Sequence, residues 1–215
     1  MISNSFRIFF VLLSSSFVLC LSGCTPLGVL AYKVAGPQPI AAKYTPDQTP
    51  MLVFVENRSQ PSATVGPDVL AGYIVEDFEE NKVAPIIPAE RLQELRDSKL
   101  GEFSKMSVAS IGKALGASQV LWIVMVEDQV STLQGEEGTT GHALVNVKLI
   151  DVTSGQMIWP KDQASGYTVS ASTNLGIDST QANAKDVHRR IYGSLATQIG
   201  KLFHKWTPEN EMPQD

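Results

Sequence analysis

Val120-Leu121-Trp122-Ile123-Val124-Met125-Val126 is a run of seven apolar residues without a break. A strand that is apolar at every position is buried on both faces, as in the centre of a sheet covered by helices. From Glu127 to Leu133 the apolar residues alternate with polar ones, so the strand is expected to leave the core there. After a loop at 134–138, a partner strand alternates cleanly and completes a hairpin. Its inward-facing residues are predicted to be Ala143, Val145, Val147 and Leu149.

A first strand and several helices are predicted before this hairpin. Met51 to Val55 is a short apolar run that leads into a turn, which is typical of a strand. From Val65 to Phe78, apolar residues recur at steps of three and four, which indicates a helix. Shorter helices are predicted to begin near Pro88 and Ser107. The order strand, helices, strand favours a parallel pair of strands.

Two more strands and a closing helix are predicted after the hairpin. Thr153-Ser154-Gly155 is a turn that leads into a strand at 156–159, and 167–172 offers another strand. An apolar stripe from Val187 to Trp206 predicts a long amphipathic helix that covers one face of the sheet. The fold class is therefore mixed α/β (α+β), with a mixed sheet of about four to five strands, an antiparallel meander and a long C-terminal helix.

The composition excludes several classes of function. The chain has 215 residues, a net charge of −5, 43% hydrophobic residues and 18% charged residues, which suits a globular core. An acidic balance without a basic cluster argues against nucleic acid as a partner. The only cysteines are Cys20 and Cys24. If both are lost to processing or modification, no disulfide and no cysteine metal site can form.

Leu21-Ser22-Gly23-Cys24 closes an apolar run near the amino terminus and resembles the lipobox of bacterial lipoproteins. The resemblance implies that signal peptidase II cuts before Cys24 after its sulfur has received a diacylglyceryl group, with palmitate among the acyl chains. Arg7 supplies a short positive region and residues 8–21 an apolar one, as a signal peptide requires. A retained membrane anchor and a plain secretory signal remain alternatives for residues 1–23.

The chain is expected to have four parts. These are a signal peptide (1–23), a lipidated, proline-rich tether (24–50), a single α/β envelope domain (51–206) and an acidic flexible tail (207–215). Whether Tyr32 and Tyr44 dock the tether on the domain is left open.

Two motifs resemble known envelope lipoproteins. The stretch 115–122 is similar to a "helix, LGA, buried strand" passage, and 149–159 resembles an "L-x-D-x-x-x-G-x-x-x-W" hairpin. Both occur in penicillin-binding-protein activator lipoproteins, the curli-secretion CsgG family and the amino-terminal domain of TolB. The resemblance implies a small α/β domain that binds other envelope proteins without catalysis. In the hairpin, Gly155 is expected to adopt a positive φ and Trp159 to pack on the sheet.

No catalytic or metal-binding pattern is evident, and no cofactor is expected. His142, His188 and His204 lack the spacing of metal ligands. The pair Glu136–Glu137 lacks the alternating carboxylates of a calcium loop. The acidic residues at 76–80 end a helix and are interpreted as a solvated face, with a basic partner as the alternative.

Asn57, Arg58 and Ser59 form the one candidate contact with a geometric reason. They follow the first strand and precede a helix, where open α/β sheets bind ligands. Arg58 and free helix amides could hold an anion or a carboxylate of a partner. A plain turn is the alternative interpretation.

These observations predict a lipid-anchored periplasmic adaptor, not an enzyme, that is accessory to envelope assembly or transport. The membrane, through lipid on Cys24, and another envelope protein are its expected partners. Thr25 is not the aspartate of an inner-membrane retention signal, which favours the periplasmic face of the outer membrane. A subunit of an outer-membrane secretion pore and a cell-envelope hydrolase are the alternatives.

Overall fold

A computed structural model describes residues 38–58, 65–132, 139–175 and 184–208. The proposed signal peptide with Cys24, the residue Ser59, the pair Glu136–Glu137 and most of the acidic tail lie outside these ranges.

Strands and helices follow the predicted order. The strands are β1 (Met51–Asn57), β2 (Gln119–Thr132), β3 (Thr139–Asp151), β4 (Met157–Trp159) and β5 (Tyr167–Leu175). The α-helices are α1 (Val65–Glu80), α2 (Ala89–Ser98), α3 (Val108–Leu115) and α4 (Ala184–Phe203), with a 3-10 turn at Phe103–Lys105. The structure confirms the mixed α+β class and the long C-terminal helix.

The five strands form one mixed sheet centred on β2 and β3. β1 pairs with β2 in parallel, and β2 pairs with β3 in antiparallel fashion. The far edge of β3 is shared, because β5 pairs with its first part and β4 with its last residues. The segment after β4 therefore returns to β3 instead of extending the sheet outward.

One face of the sheet is covered by α1 and α4. The buried side chains on this face include Val53 and Val55 of β1, Leu121 and Ile123 of β2, and the four predicted inward residues of β3. They pack against Leu70, Ile74 and Phe78 of α1 and Val187, Ile191, Leu195 and Ile199 of α4. This is the larger of the two cores, and it confirms that the closing helix covers the sheet.

The opposite face is covered by α2 and α3. Leu52 and Phe54 of β1 and Val120 of β2 form a second core with Ile111 and Leu115 of α3. The alternation along β1 explains how one strand serves two cores, because successive side chains point to opposite faces. The sheet is thus covered by helices on both sides where the apolar run of β2 begins.

The residues predicted to end helices and form turns do so in the structure. The Ser107 Oγ accepts a hydrogen bond from the Ser110 amide at 3.2 Å, and Gly116 ends α3 with φ +79°. In the β3–β4 turn, Asp151 accepts hydrogen bonds from Ser154, which lower the pKa of that carboxyl, and Gly155 has φ +70°. Trp206 is an exception, because α4 ends at Phe203 and the tryptophan lies beyond the helix.

The chain divides into two compact units. One spans Ala41–Lys205 and holds every strand and helix named above. The other is formed by the two chain ends, and within it Ile40 and Trp206 exchange backbone hydrogen bonds of 2.7 and 3.1 Å. In the part of the chain that the structure describes, no helix has both the length and the hydrophobicity needed to span a bilayer.

Candidate functional site

The predicted contact at the end of β1 is only partly accessible. Asn57 is the last residue of β1 and is buried, with 9% of its surface exposed. Arg58 is exposed, while its backbone amide donates to the Met125 carbonyl at 3.1 Å. The third predicted residue, Ser59, lies outside the described ranges. Of the described pair, only Arg58 has an exposed side chain.

An irregularity in β2 places an acidic residue next to this end of the sheet. Met125 pairs with Val145, but the next pair is Glu127 with Leu144, so one extra residue is accommodated between them. Such a bulge shifts the alternation of faces for the rest of the strand. Asp128 consequently pairs with Ala143 and points to the face covered by α1 and α4.

Asp128 joins β2 to α4 through Tyr192. The Tyr192 hydroxyl donates to Asp128 Oδ2 at 2.7 Å, and the second carboxylate oxygen lies 3.4 Å from His188 Nε2. Burial and the neighbouring carboxylate raise the pKa of Tyr192. Gly66 completes the cluster, because a Cβ there would lie 2.8 Å from the Tyr192 hydroxyl oxygen. The arrangement fastens the first turn of α1 and the first half of α4 to the bulged strand.

The chemistry available to this cluster is that of a carboxylate with one strong donor. Asp128 Oδ1 is buried and has no hydrogen-bond partner among the described residues. Among those residues, no hydroxyl side chain is hydrogen-bonded to the His188 ring. Nor do the described residues gather three side chains able to hold a metal ion.

Tyr192→Phe is expected to destabilise the fold by about 1.5–3 kcal/mol, since a half-buried carboxylate loses its charged hydrogen bond. Chemical unfolding at pH 7 measures the loss. Tyr73→Phe is the matched control, because the Tyr73 hydroxyl bonds none of the described residues, and this variant should change little. Equal losses in both variants would show that removal of a tyrosine hydroxyl in general, and not loss of the bond to Asp128, accounts for the effect.

A segment that the sequence predicts as tether is docked on the domain. We call residues 41–50 the strap. The backbone amides of Lys43 and Tyr44 both donate to the Leu202 carbonyl of α4, at 2.8 and 3.0 Å. Farther along, the Gln119 side chain donates to the carbonyls of Asp47 and Thr49 at 2.8 and 3.3 Å. The strap is therefore held by backbone groups at both of its ends.

Aromatic side chains close the same end of the domain. Tyr44 lies 6.2 Å from Trp159, which packs edge-on against Phe203 at 5.1 Å and stacks on Tyr167 at 5.4 Å between ring centroids. The Lys43 ammonium donates to the Tyr167 hydroxyl. Tyr44 thus does dock the strap, and Trp159 packs as expected on the sheet side of this cluster.

The other two histidines pair with carboxylates at separate places. His142 Nδ1 lies 3.4 Å from Glu127 on the face of the sheet opposite α4, and both side chains are exposed by more than 40%. His204 Nε2 lies 3.0 Å from Asp77 Oδ2, with 14% and 22% of the two side chains exposed. Glu76, Glu79 and Glu80 are exposed as the sequence indicates, but Asp77 departs from that solvated face because it points at the end of α4.

The chain matches no protein-family model and no curated protein. Among solved structures it is similar to lipoprotein GNA1162 from Neisseria meningitidis, with 16% identity, coverage of 70% of this chain and 97% of that chain, and a TM-score of 0.45. It is also similar to the PelC dodecamer from Paraburkholderia phytofirmans, with 12% identity, coverage of 80% and 99%, and a TM-score of 0.42. A minor lipoprotein from Acinetobacter baumannii shows 13% identity, coverage of 72% and 91%, and a TM-score of 0.42.

Proposed function

We propose that this chain is a lipid-anchored lipoprotein of the bacterial envelope that acts as a binding or adaptor protein. The observation that carries the proposal is the Leu21-Ser22-Gly23-Cys24 sequence after an apolar run, which is the arrangement that acylation and cleavage require. The periplasmic face of the outer membrane is the proposed location. The residue after the cysteine, Thr25, supports that choice over inner-membrane retention.

The binding role is supported by what the described domain offers to a partner. Its larger core is closed by α1 and α4, and the strap covers one end of it. At the other end, Arg58 is exposed beside the buried Asn57, where a carboxylate of a partner could be bound by the guanidinium. An envelope protein with an acidic segment is the partner that this chemistry suits.

The pore alternative receives less support from the hairpin of β2 and β3. A barrel hairpin presents one apolar row to lipid. Here the apolar row of β3, which includes Ala143 and Val145, is fully buried against α4. A pore would require α4 to leave this face. The hydrolase alternative gains no support either, because among the described residues no serine or threonine hydroxyl is hydrogen-bonded to a histidine ring.

A photo-crosslinking amino acid placed at position 56 in living cells, two residues from Arg58 and with Arg58 left intact, tests the adaptor proposal. We expect it to attach to a specific envelope protein and to lose that product when the acidic segment of the partner is neutralised. The same reagent at Lys99, which is exposed at the end of α2, is the matched control and should not give this product. An identical product from both positions, or none from position 56, would contradict a binding role for this end of the sheet.

A further inference from the structure

Both ring nitrogens of His204 face hydrogen-bond acceptors. Nε2 lies 3.0 Å from Asp77 Oδ2, and Nδ1 lies 3.1 Å from the Lys205 carbonyl oxygen. A neutral imidazole carries one N–H, whereas the imidazolium carries two. Only the charged form of His204 therefore donates to both acceptors, and the neutral form leaves one nitrogen lone pair directed at an oxygen.

The backbone at the end of α4 lies close to both members of the Asp77–His204 pair. A Cβ at Gly200 would lie 2.0 Å from Asp77 Oδ2, so the carboxylate rests against the helix backbone where no larger residue fits. The His204 amide donates to the Gly200 carbonyl at 3.1 Å, which places the histidine in the turn that ends the helix. The pair thus joins the last turn of α1 to the last turn of α4.

The same turn receives the strap. Leu202, whose carbonyl accepts from the amides of Lys43 and Tyr44, stands two residues before His204. Movement of this turn would shift the Leu202 carbonyl and so weaken its hydrogen bonds with the amides of Lys43 and Tyr44.

We propose that Asp77 and His204 form a pH-sensitive latch that holds the first part of the strap on α4 when His204 is charged and loosens it when the charge is lost. Histidine is the side chain whose charge ordinarily changes between about pH 5 and pH 8.

The charged groups near the pair lie on both helices and on the strap. Glu80 on α1 adds negative charge near Asp77, whereas Lys201 and Lys205 flank His204 along the end of α4. On the strap, the Lys43 ammonium is engaged with the Tyr167 hydroxyl and not with the pair.

Burial raises the pKa of Asp77, and the charge and hydrogen bond of His204 oppose that rise. A raised folded-state pKa means that the contribution of this carboxyl to stability falls as the pH rises through that pKa. Once Asp77 is ionised, the imidazolium is its compensating charge, and losing it leaves a half-buried carboxylate without a cation.

Hydrogen exchange of the full-length protein in detergent micelles, followed by mass spectrometry of peptides that contain Lys43 and Tyr44, tests the latch. After correction for intrinsic rates, we expect protection of these amides to fall about fivefold to tenfold between pH 5.5 and pH 8, as loss of a partly buried ion pair implies. In His204→Gln, protection should be low at both pH values. His142→Gln, which alters the exposed pair with Glu127, should retain the wild-type response.

Two outcomes would overturn the latch. One is protection of the strap that does not change with pH in the wild-type protein, a measurement that needs no variant to fold. The other is an unchanged pH response in both His204→Gln and Asp77→Asn. Neither outcome depends on lipid at Cys24, so a failure of the latch is distinguishable from a failure of the proposed anchor.

Discussion

Cys24→Ser is expected to abolish incorporation of labelled palmitate and to leave the protein as an uncut precursor that retains residues 1–23. A serine hydroxyl does not form the thioether that carries the diacylglyceryl group, and the resemblance to lipoproteins implies that cleavage follows this modification. Each buried methylene contributes about 0.8 kcal/mol, so two or three chains anchor a protein for practical purposes. The variant should therefore be absent from the outer-membrane fraction. Metabolic labelling, gel mobility and membrane fractionation measure these three effects.

Cys20→Ser is the matched control for this experiment. Cys20 lies in the same apolar run but is not preceded by small residues at the two positions before it. Labelling, cleavage and location should all remain as in the wild type. Palmitate uptake by Cys24→Ser, or cleavage of that variant at the same bond, would refute the lipoprotein assignment and the placement of the domain at a membrane.

The architecture was predictable because its signals are local and periodic. Each pattern indicates which faces are buried. The patterns are the unbroken apolar run of β2, the alternation of β3 and the helical spacing of α1 and α4. The cap at Ser107 and the positive φ of Gly155 are equally local, because they depend on residues within three positions. Each such feature restricts the fold without knowledge of distant contacts.

The position of Asp128 was not predictable in this way. Regular alternation continued from Leu121 and Ile123 would place Glu127 on the face covered by α1 and α4, and Asp128 on the opposite face. The bulge after Met125 reverses this, and no glycine or proline in that stretch marks it. Tyr192 and His188 on α4 contact Asp128 only because of a register shift that pairing with β3 determines.

The strap and the latch depend on contacts between residues far apart in the sequence. A proline-rich composition predicts a segment poor in regular structure, and the strap contains no helix or strand. The composition cannot show that Gln119 or Leu202 will bond to the backbone of the strap. Asp77 likewise belongs to an acidic helix end that reads as solvated. The Asp77 carboxylate is instead partly buried against Gly200, where the absence of a side chain leaves space for it. This space exists only because α1 packs against α4.

Leu195→Ala is expected to lower the free energy of unfolding by about 2–5 kcal/mol, because a fully buried leucine is replaced by a cavity. That loss is a large share of the roughly 5–15 kcal/mol that holds a typical domain folded. Without a cysteine after Cys24, no disulfide restricts the unfolded chain, so the core must supply the stability. Urea unfolding of the purified protein measures the loss.

Arg190→Ala, at an exposed position on the same helix, is the matched control and should change the stability by less than about 0.5 kcal/mol. The comparison separates core packing from a general effect on α4, since both variants introduce alanine, a strong helix former. α4 contains Tyr192, which bonds to Asp128, and Leu202, whose carbonyl accepts from the strap. Both sets of hydrogen bonds therefore depend on the packing of α4 on the sheet. A loss below about 1 kcal/mol for Leu195→Ala would mean that α4 is not packed on the sheet as described, and the bond to Asp128 and the latch would both lose their structural basis.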